Sequence, residues 1–149
     1  MNKTRTVSQS TITESWFLVD AKGMRIGRIS GIISQLLLAK NNVNTRDYLM
    51  PANKVVVINA SGIDVTPKRA ETKFYTSYSG FPGGLTYTFL KDMMRKFPTR
   101  VIENSVSGMM PKNNRGKHIL SSNLFVFAGS EHPHQAQQPV IVDVNNFKI

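Results

Sequence analysis

The residues best suited to a chemical task lie between Thr66 and Leu85. This twenty-residue segment contains three cations, four aromatic rings, three glycines and two prolines, with Glu71 as its one acid. Cations neutralise phosphates, aromatic rings accept unstacked bases or riboses, and glycines let a backbone approach closely. Its apolar residues are aromatics separated by hydroxyls and charges, a pattern unsuited to a core. The segment, called the platform below, therefore predicts an exposed nucleic-acid-binding surface.

The positive charge of the chain is concentrated around the platform. The 149 residues include 19 lysines and arginines against nine acids, a net charge of +10. Residues 67–117 hold ten of these cations and three acids, a local excess of seven. Such a balance attracts a polyanion, although charge alone leaves RNA, DNA and anionic lipid open. The candidate contacts in this region are Lys68, Arg69, Lys73, Tyr75, Tyr78, Lys91, Arg95, Lys112, Arg115 and Lys117.

Two hypotheses apply to the glycine-rich turn at residues 80–85. A glycine-rich turn before a helix presents free amides to a phosphate, whereas a tight turn simply needs positive φ at Gly83 or Gly84. The turn hypothesis is favoured, because glycine pairs mostly serve turn geometry. A nucleotide cofactor is not expected, since the stretch around Gly23 and Gly27 lacks both the GxGxxG and the P-loop patterns.

Glu131, His132, Pro133 and His134 form the other group with chemical potential. With no cysteine and one further histidine, His118, the chain gives only a weak metal signal, and no metal is expected. An enzyme that uses His132 or His134 as acid or base on a phosphorylated or nucleic-acid substrate is the alternative function. No paired carboxylates and no Ser/His/Asp set support it. Hydrogen bonding to RNA, or attachment of the tail to a sheet, is favoured for these histidines.

An α/β scaffold is predicted for the first half of the chain. Strands are expected at 16–20 and 54–60, the second without alternation and therefore buried on both faces. Between them, a helix from Ile26 to Ala39 places Ile29, Ile33 and Leu37 on one face and leaves Arg28 near its start. Residues 41–53 form a connection, and 63–66 would add a short edge strand.

The second half is predicted to be mainly helical. A helix at 86–97 buries Phe89, Leu90, Met93, Met94 and Phe97, and Pro98 ends it. A helix at 100–109 turns Ile102, Val106 and Met109 inward. A basic loop or helix start (112–118), a strand (124–128) and a tail (129–149) follow. The polar amino terminus lacks a signal peptide and the longest apolar run, 55–58, is short, so a soluble cytoplasmic protein without membrane contact is expected.

Several blocks, taken together, resemble the family of large ribosomal subunit protein thirteen in its bacterial form, over about residues 15–142. They include Ile26-Gly27-Arg28, Val55 to Ala60, Lys73-Phe74-Tyr75, Ser79 to Leu85, Gly108-Met109-Met110-Pro111-Lys112, Gly116-Lys117 and His132 to Pro139.

The resemblance implies a three-layer α/β/α fold with a four-stranded, mainly parallel sheet and basic loop extensions. It also implies a structural, non-catalytic protein that binds large-subunit rRNA early in assembly, beside neighbouring ribosomal proteins, without cofactors and not as a homo-oligomer. Family positions that contact RNA match Arg28, Lys73, Tyr75, Lys112, Lys117, His132 and His134. Tyr78 departs from the family, which usually has histidine there. We expect a flexible basic arm at 1–13, one domain at 14–142 and a tail at 143–149.

Overall fold

The computed structural model of the protein describes residues 8–9, 12–43 and 45–144. Most of the predicted arm at 1–13 and residues 145–149 of the predicted tail therefore lie outside the described residues. The strands are β1 (Ser15–Asp20), β2 (Asn53–Ile58), β3 (Phe74–Tyr78), β4 (Leu85–Phe89), β5 (Leu124–Val126) and β6 (Val140–Ile141). The helices are α1 (Ile26–Leu37), α2 (Pro67–Thr72), α3 (Leu90–Lys96), α4 (Pro98–Met109) and α5 (Asn114–Asn123).

Four parallel strands form the central sheet in the order β5-β2-β1-β6. The predicted α/β class and the four-stranded sheet are confirmed. The predicted source of the fourth strand was wrong, because residues 63–66 form only an isolated bridge, between Arg25 and Asp64. The edge is instead occupied by β6, where Val140 pairs with Phe17 and Ile141 with Leu18. Two exposed residues gave too short a pattern for a strand to be recognised.

The main core lies on one face of the sheet. The stripe predicted for α1 is buried, with Ile29, Ile33 and Leu37 at most 1% exposed. These side chains pack in one cluster with Val55 and Val57 of β2 and with residues of α4 and α5. Close helix packing also buries the α1 serines, and Ser30 Oγ donates 2.8 Å to Ser105 Oγ on α4.

The opposite face of the sheet is covered by the segment that follows β5. His134 lies 4.5 Å from Phe125 and 5.1 Å from Trp16, centroid to centroid, and those two rings stack on each other at 5.8 Å. The sheet is thus covered on both faces, as the three-layer arrangement requires. Among the described residues, no helix combines the length and the apolar character of a membrane span.

The stretch 86–97 is where the predicted secondary structure was wrong. Its first part belongs to strand β4, which pairs antiparallel with β3, and the helix begins only at Leu90. The alternation Leu-Thr-Tyr-Thr-Phe suits a strand, because β-branched and aromatic residues favour a pleated surface. Leu90 is buried as predicted, but Phe89 and Phe97 are 50% and 48% exposed.

The helix that follows agrees more closely. It begins at Pro98, two residues earlier than predicted, and proline fits a first helical turn because its missing N–H would have no partner there. Val106 and Ile102 are buried. Met109 is exposed and Met110 is buried in its place. Residues 114–123 complete a full helix where only a basic loop or helix start was predicted.

Candidate nucleic-acid interface

The platform folds into helix α2 and most of the hairpin β3–β4, and it is exposed as predicted. The strand register places Phe74 opposite Phe89, and Tyr78 opposite Leu85. Because strand side chains alternate between faces, these four residues and Tyr87 share one face of the hairpin. This exposed hairpin face carries no charged residue, yet each of its five large side chains is between 47% and 64% exposed. An uncharged aromatic surface of this kind marks an interaction site.

The geometry of residues 80–85 supports the turn hypothesis over the phosphate hypothesis. Gly80 and Gly83 adopt φ values of +89° and +75°, as the positive-φ hypothesis predicted for Gly83. At Gly84 an added Cβ would lie 2.0 Å from Ser79 Oγ, which can rotate away, and 3.0 Å from the Phe81 carbonyl oxygen, so a side chain there would be tightly packed. The Gly84 N–H donates to the Phe81 carbonyl at 2.9 Å, which removes it as an anion donor. A strand follows the turn, not the helix that the phosphate hypothesis assumed.

A cluster of cations lies beside the hairpin. One open cleft, called the basic cleft below, is lined by Thr66, Lys68, Arg69, Thr72 and Lys73. Arg25, the residue immediately before α1, also lines it. The structure therefore brings three predicted residues together and adds Arg25, which sequence reasoning missed. The available signal was its position next to the Ile26-Gly27-Arg28 block, but only the fold places it opposite α2. Four cations around one cleft create a strong local attraction for phosphate.

A second opening, the polar cleft, lies between the inner face of the hairpin and helix α4. Predicted residues Tyr75 and Lys112 both line it, with Arg100 as a cation that sequence reasoning did not select. Lys73 Nζ lies 5.2 Å from the centroid of the Tyr75 ring. Among the described residues, the buried Tyr75 hydroxyl has no hydrogen-bond partner, and burial raises the pKa of this phenol above its ordinary value of 10.0.

Other predicted cations are exposed but line neither of these two clefts. Arg28 is exposed in the first turn of α1, and Lys91 and Arg95 are exposed on α3. Lys117 lines an adjoining groove between α4 and α5, which shares Glu103 and Asn104 with the polar cleft.

Arg115 has a structural position. Its guanidinium donates to the backbone carbonyls of Arg46, Asp47 and Leu49, the last at 2.7 Å. Three carbonyl acceptors in one loop match the fork of donors that arginine presents. The side chain therefore holds the loop at 46–49 against the start of α5. This use of its donors argues against the predicted role in RNA contact.

The two histidines lie on the sheet rather than in a reaction centre. His134 contacts Trp16, Phe125 and Phe127, and His132 lies 6.4 Å from the centroid of the Phe127 ring. No residue that the structure describes forms a hydrogen bond with the buried Nδ1 of His132. This geometry fits the hypothesis that they attach the tail to the sheet. Within the described part of the chain, no three His, Asp or Glu residues group as metal ligands.

The chain is similar to known proteins over most of its length. The profile of the family described as Ribosomal protein L13 matches residues 14–133. Large ribosomal subunit protein uL13 of Microcystis aeruginosa is 39% identical over 145 residues, which cover 97% of this chain and 95% of that protein. The protein of the same name from Prochlorococcus marinus subsp. pastoris is 41% identical over 143 residues, 96% of this chain and 99% of its own length. The chain therefore belongs to the ribosomal protein L13 family.

Proposed function

We propose that this protein is a structural component of the large ribosomal subunit and that it binds the rRNA of that subunit. The observation that carries the proposal is membership of the ribosomal protein L13 family over nearly the whole chain. The surface fits this role, because the four cations of the basic cleft lie beside the hairpin that carries the uncharged aromatic face. The role is architectural, on the ribosome and in contact with neighbouring ribosomal proteins. The protein acts as a single domain over residues 14–142 and not as a homo-oligomer.

The basic cleft and the exposed hairpin face bind different parts of the RNA. Phosphates of the rRNA lie in the basic cleft, where Lys68, Arg69 and Lys73 act with Arg25. Counterion release at such contacts supplies most of the affinity. Unpaired bases stack on the exposed hairpin face, where Tyr78 is 64% exposed and replaces the usual histidine with another aromatic ring. The remaining proposed RNA contacts are Arg28, Tyr75, Lys91, Arg95, Lys112 and Lys117.

The histidines and Arg115 contribute to this surface through packing more than through direct contact with RNA. Half-buried His132 and His134 hold the segment after β5 on the sheet, so any contact with RNA is secondary to packing. Arg115 holds the loop at 46–49. We therefore assign these three residues a structural role, in which they maintain the shape of the interface.

The test is a charge-matched pair of triple variants. Lys68, Arg69 and Lys73 are changed together to Ala, and the control changes the exposed Lys22, Lys40 and Arg46 to Ala. Binding to large-subunit rRNA transcribed in vitro is measured as a function of salt. Each lost phosphate contact lowers the slope of log affinity against log salt by about 0.7 to 0.9, so the basic-cleft variant should lose about 2 to 3.

The control should retain most of the slope, since its cations lie outside residues 67–117. Thermal melting of both variants checks the fold. An unchanged slope in the basic-cleft variant contradicts the assignment of this surface. Failure of the unmodified protein to sediment with the large subunit from lysate at moderate salt contradicts the function itself.

A further inference from the structure

The polar cleft has a composition that differs from the basic cleft. One wall is the inner face of the hairpin, with Tyr75, Ser77 and Thr88. The other wall holds Arg100 and Glu103 of helix α4, and Lys112 follows that helix. The cleft therefore combines two cations, one carboxylate and several hydroxyls within a volume of about 920 Å³. This size is typical of sites for small molecules and single residues of a polymer.

The polar side chains of this cleft are not used by the fold. In the described part of the chain, Ser77, Thr88, Arg100 and Glu103 make no side-chain hydrogen bond or ion pair. Arg100 and Glu103 are three residues apart on α4 and still do not pair. Ser77, Arg100 and Glu103 are exposed, so their donors and acceptors are accessible to a ligand that enters the cleft.

The cations are positioned by contacts outside the cleft. The Arg100 guanidinium carbon lies 4.6 Å from the centroid of the Phe97 ring, a contact that restricts its direction. Lys112 Nζ donates 2.9 Å to the Ser107 carbonyl and keeps two further N–H donors. Both positive groups thus have free hydrogen-bonding capacity for an anion.

The carboxylate of Glu103 restricts which ligand fits. A bare phosphate or an acidic peptide gains from the two cations but is repelled by Glu103. A ribonucleotide offers a phosphate to the cations and hydroxyl donors to the carboxylate, so every charged group in the cleft gains a partner. A 2′-deoxynucleotide lacks the 2′-OH donor that distinguishes RNA.

We infer that the polar cleft binds one ribonucleotide of the large-subunit rRNA, with its phosphate at Arg100 and Lys112 and its 2′-OH at Glu103. This inference rests on the proposed function and names a site separate from the basic cleft. Two blocks recognised in the sequence, those of Tyr75 and Lys112, meet at this site. Arg100 and Glu103 join them only through the fold.

The test is nucleotide-analogue interference mapping with full-length protein and large-subunit rRNA that carries random 2′-deoxy substitutions. The variants are Arg100→Ala and Glu103→Ala, with Lys96→Ala as a control that removes one exposed charge outside the cleft. With the unmodified protein, a 2′-deoxy sugar at one position should impair binding. Glu103→Ala removes the acceptor of the 2′-OH and should abolish that single interference signal and lower affinity, while Lys96→Ala should retain the signal.

Arg100→Ala should lower affinity about tenfold, as expected for the loss of one charge-assisted contact with phosphate. Melting curves confirm that each variant is folded. The inference is overturned if Glu103→Ala leaves the interference pattern unchanged, which is also the outcome expected if a protein segment fills the cleft. Tighter binding by Glu103→Ala likewise overturns it, because that result indicates a bare-phosphate site. If the basic-cleft variant loses its salt slope as expected while either of these outcomes is observed, only the inference has failed and the proposed function stands.

Discussion

A pair of glycine substitutions in two helices should change stability in opposite directions. Gly31 lies inside α1, and a Cβ built there meets nothing within 4 Å. Gly116 lies in the first turn of α5, where the same Cβ would be 2.0 Å from the Pro111 carbonyl oxygen and 3.0 Å from its carbon. The Gly116 N–H also donates 2.8 Å to Asn113 Oδ1, the cap of that helix. Both sites therefore receive the same methyl group in different surroundings.

The magnitudes follow from these contacts. Alanine is more favourable than glycine in a helix by about 1 kcal/mol, so Gly31→Ala should raise the free energy of unfolding by about that amount. At Gly116 the blocking atoms are backbone and one lies only 2.0 Å from the added Cβ, so the clash costs about 2–3 kcal/mol, the upper part of the range for overpacked sites. The propensity gain of about 1 kcal/mol offsets part of this cost, which leaves a net loss of about 1–2 kcal/mol.

Thermal unfolding measures both effects. For a chain of 149 residues, 1 kcal/mol corresponds to roughly 2–4 °C in Tm. Gly31→Ala should therefore melt about 2–4 °C higher than the unmodified protein, and Gly116→Ala about 2–8 °C lower. An unchanged or raised Tm for Gly116→Ala would refute the argument, since it would show that Pro111 moves away at no cost.

Three further predictions concern single side chains. Arg115→Ala should free the loop at 46–49 and accelerate tryptic cleavage after Arg46, with only partial protection in Arg115→Lys because an ammonium lacks the guanidinium fork. His134→Ala should expose the single tryptophan, Trp16, and shift its fluorescence emission to the red. The same change should lower the free energy of unfolding by about 1–2 kcal/mol. An unchanged spectrum would argue against packing of the His134 ring on Trp16. Because the Tyr75 pKa is raised, the folded protein keeps this phenol neutral after the unfolded chain has begun to ionise. The Tyr75 phenol should not affect the free energy of unfolding below pH 10.0, and that free energy should fall as the pH rises above 10.0. In an ultraviolet absorbance titration of the folded protein, one phenol should ionise at a higher pH than the others. Tyr75→Phe should remove that last ionisation.

The central scaffold could be predicted because it depends on the burial of apolar side chains, which leaves a periodic pattern in the sequence. The spacing of Ile29, Ile33 and Leu37 and the continuous apolar run of β2 both report which side chains leave solvent. The exposed platform followed from the same reasoning, applied to a segment that offers no apolar stripe. Neither result needed knowledge of a distant contact.

Other features depend on contacts that no local pattern contains. The short strand β6 exists because Val140 and Ile141 reach the free edge of β1, and both side chains stay exposed. Arg115 looked like a surface cation, and only the fold brings three carbonyls of a distant loop to its guanidinium. Arg25 and Arg100 enter their clefts for the same reason, since their partners come from elements far along the chain.

The error at residues 86–97 has a different cause, which bears on function. The predicted helix assumed that Phe89 and Phe97 must face a protein core, yet both are about half exposed. That assumption holds for a protein whose surface meets only water, where such exposure is unfavourable. It fails where another molecule covers the surface, because an aromatic ring then leaves water on binding instead of on folding. The exposed rings of the hairpin are thus independent physical support for a bound partner, and the charge around them favours a polyanion.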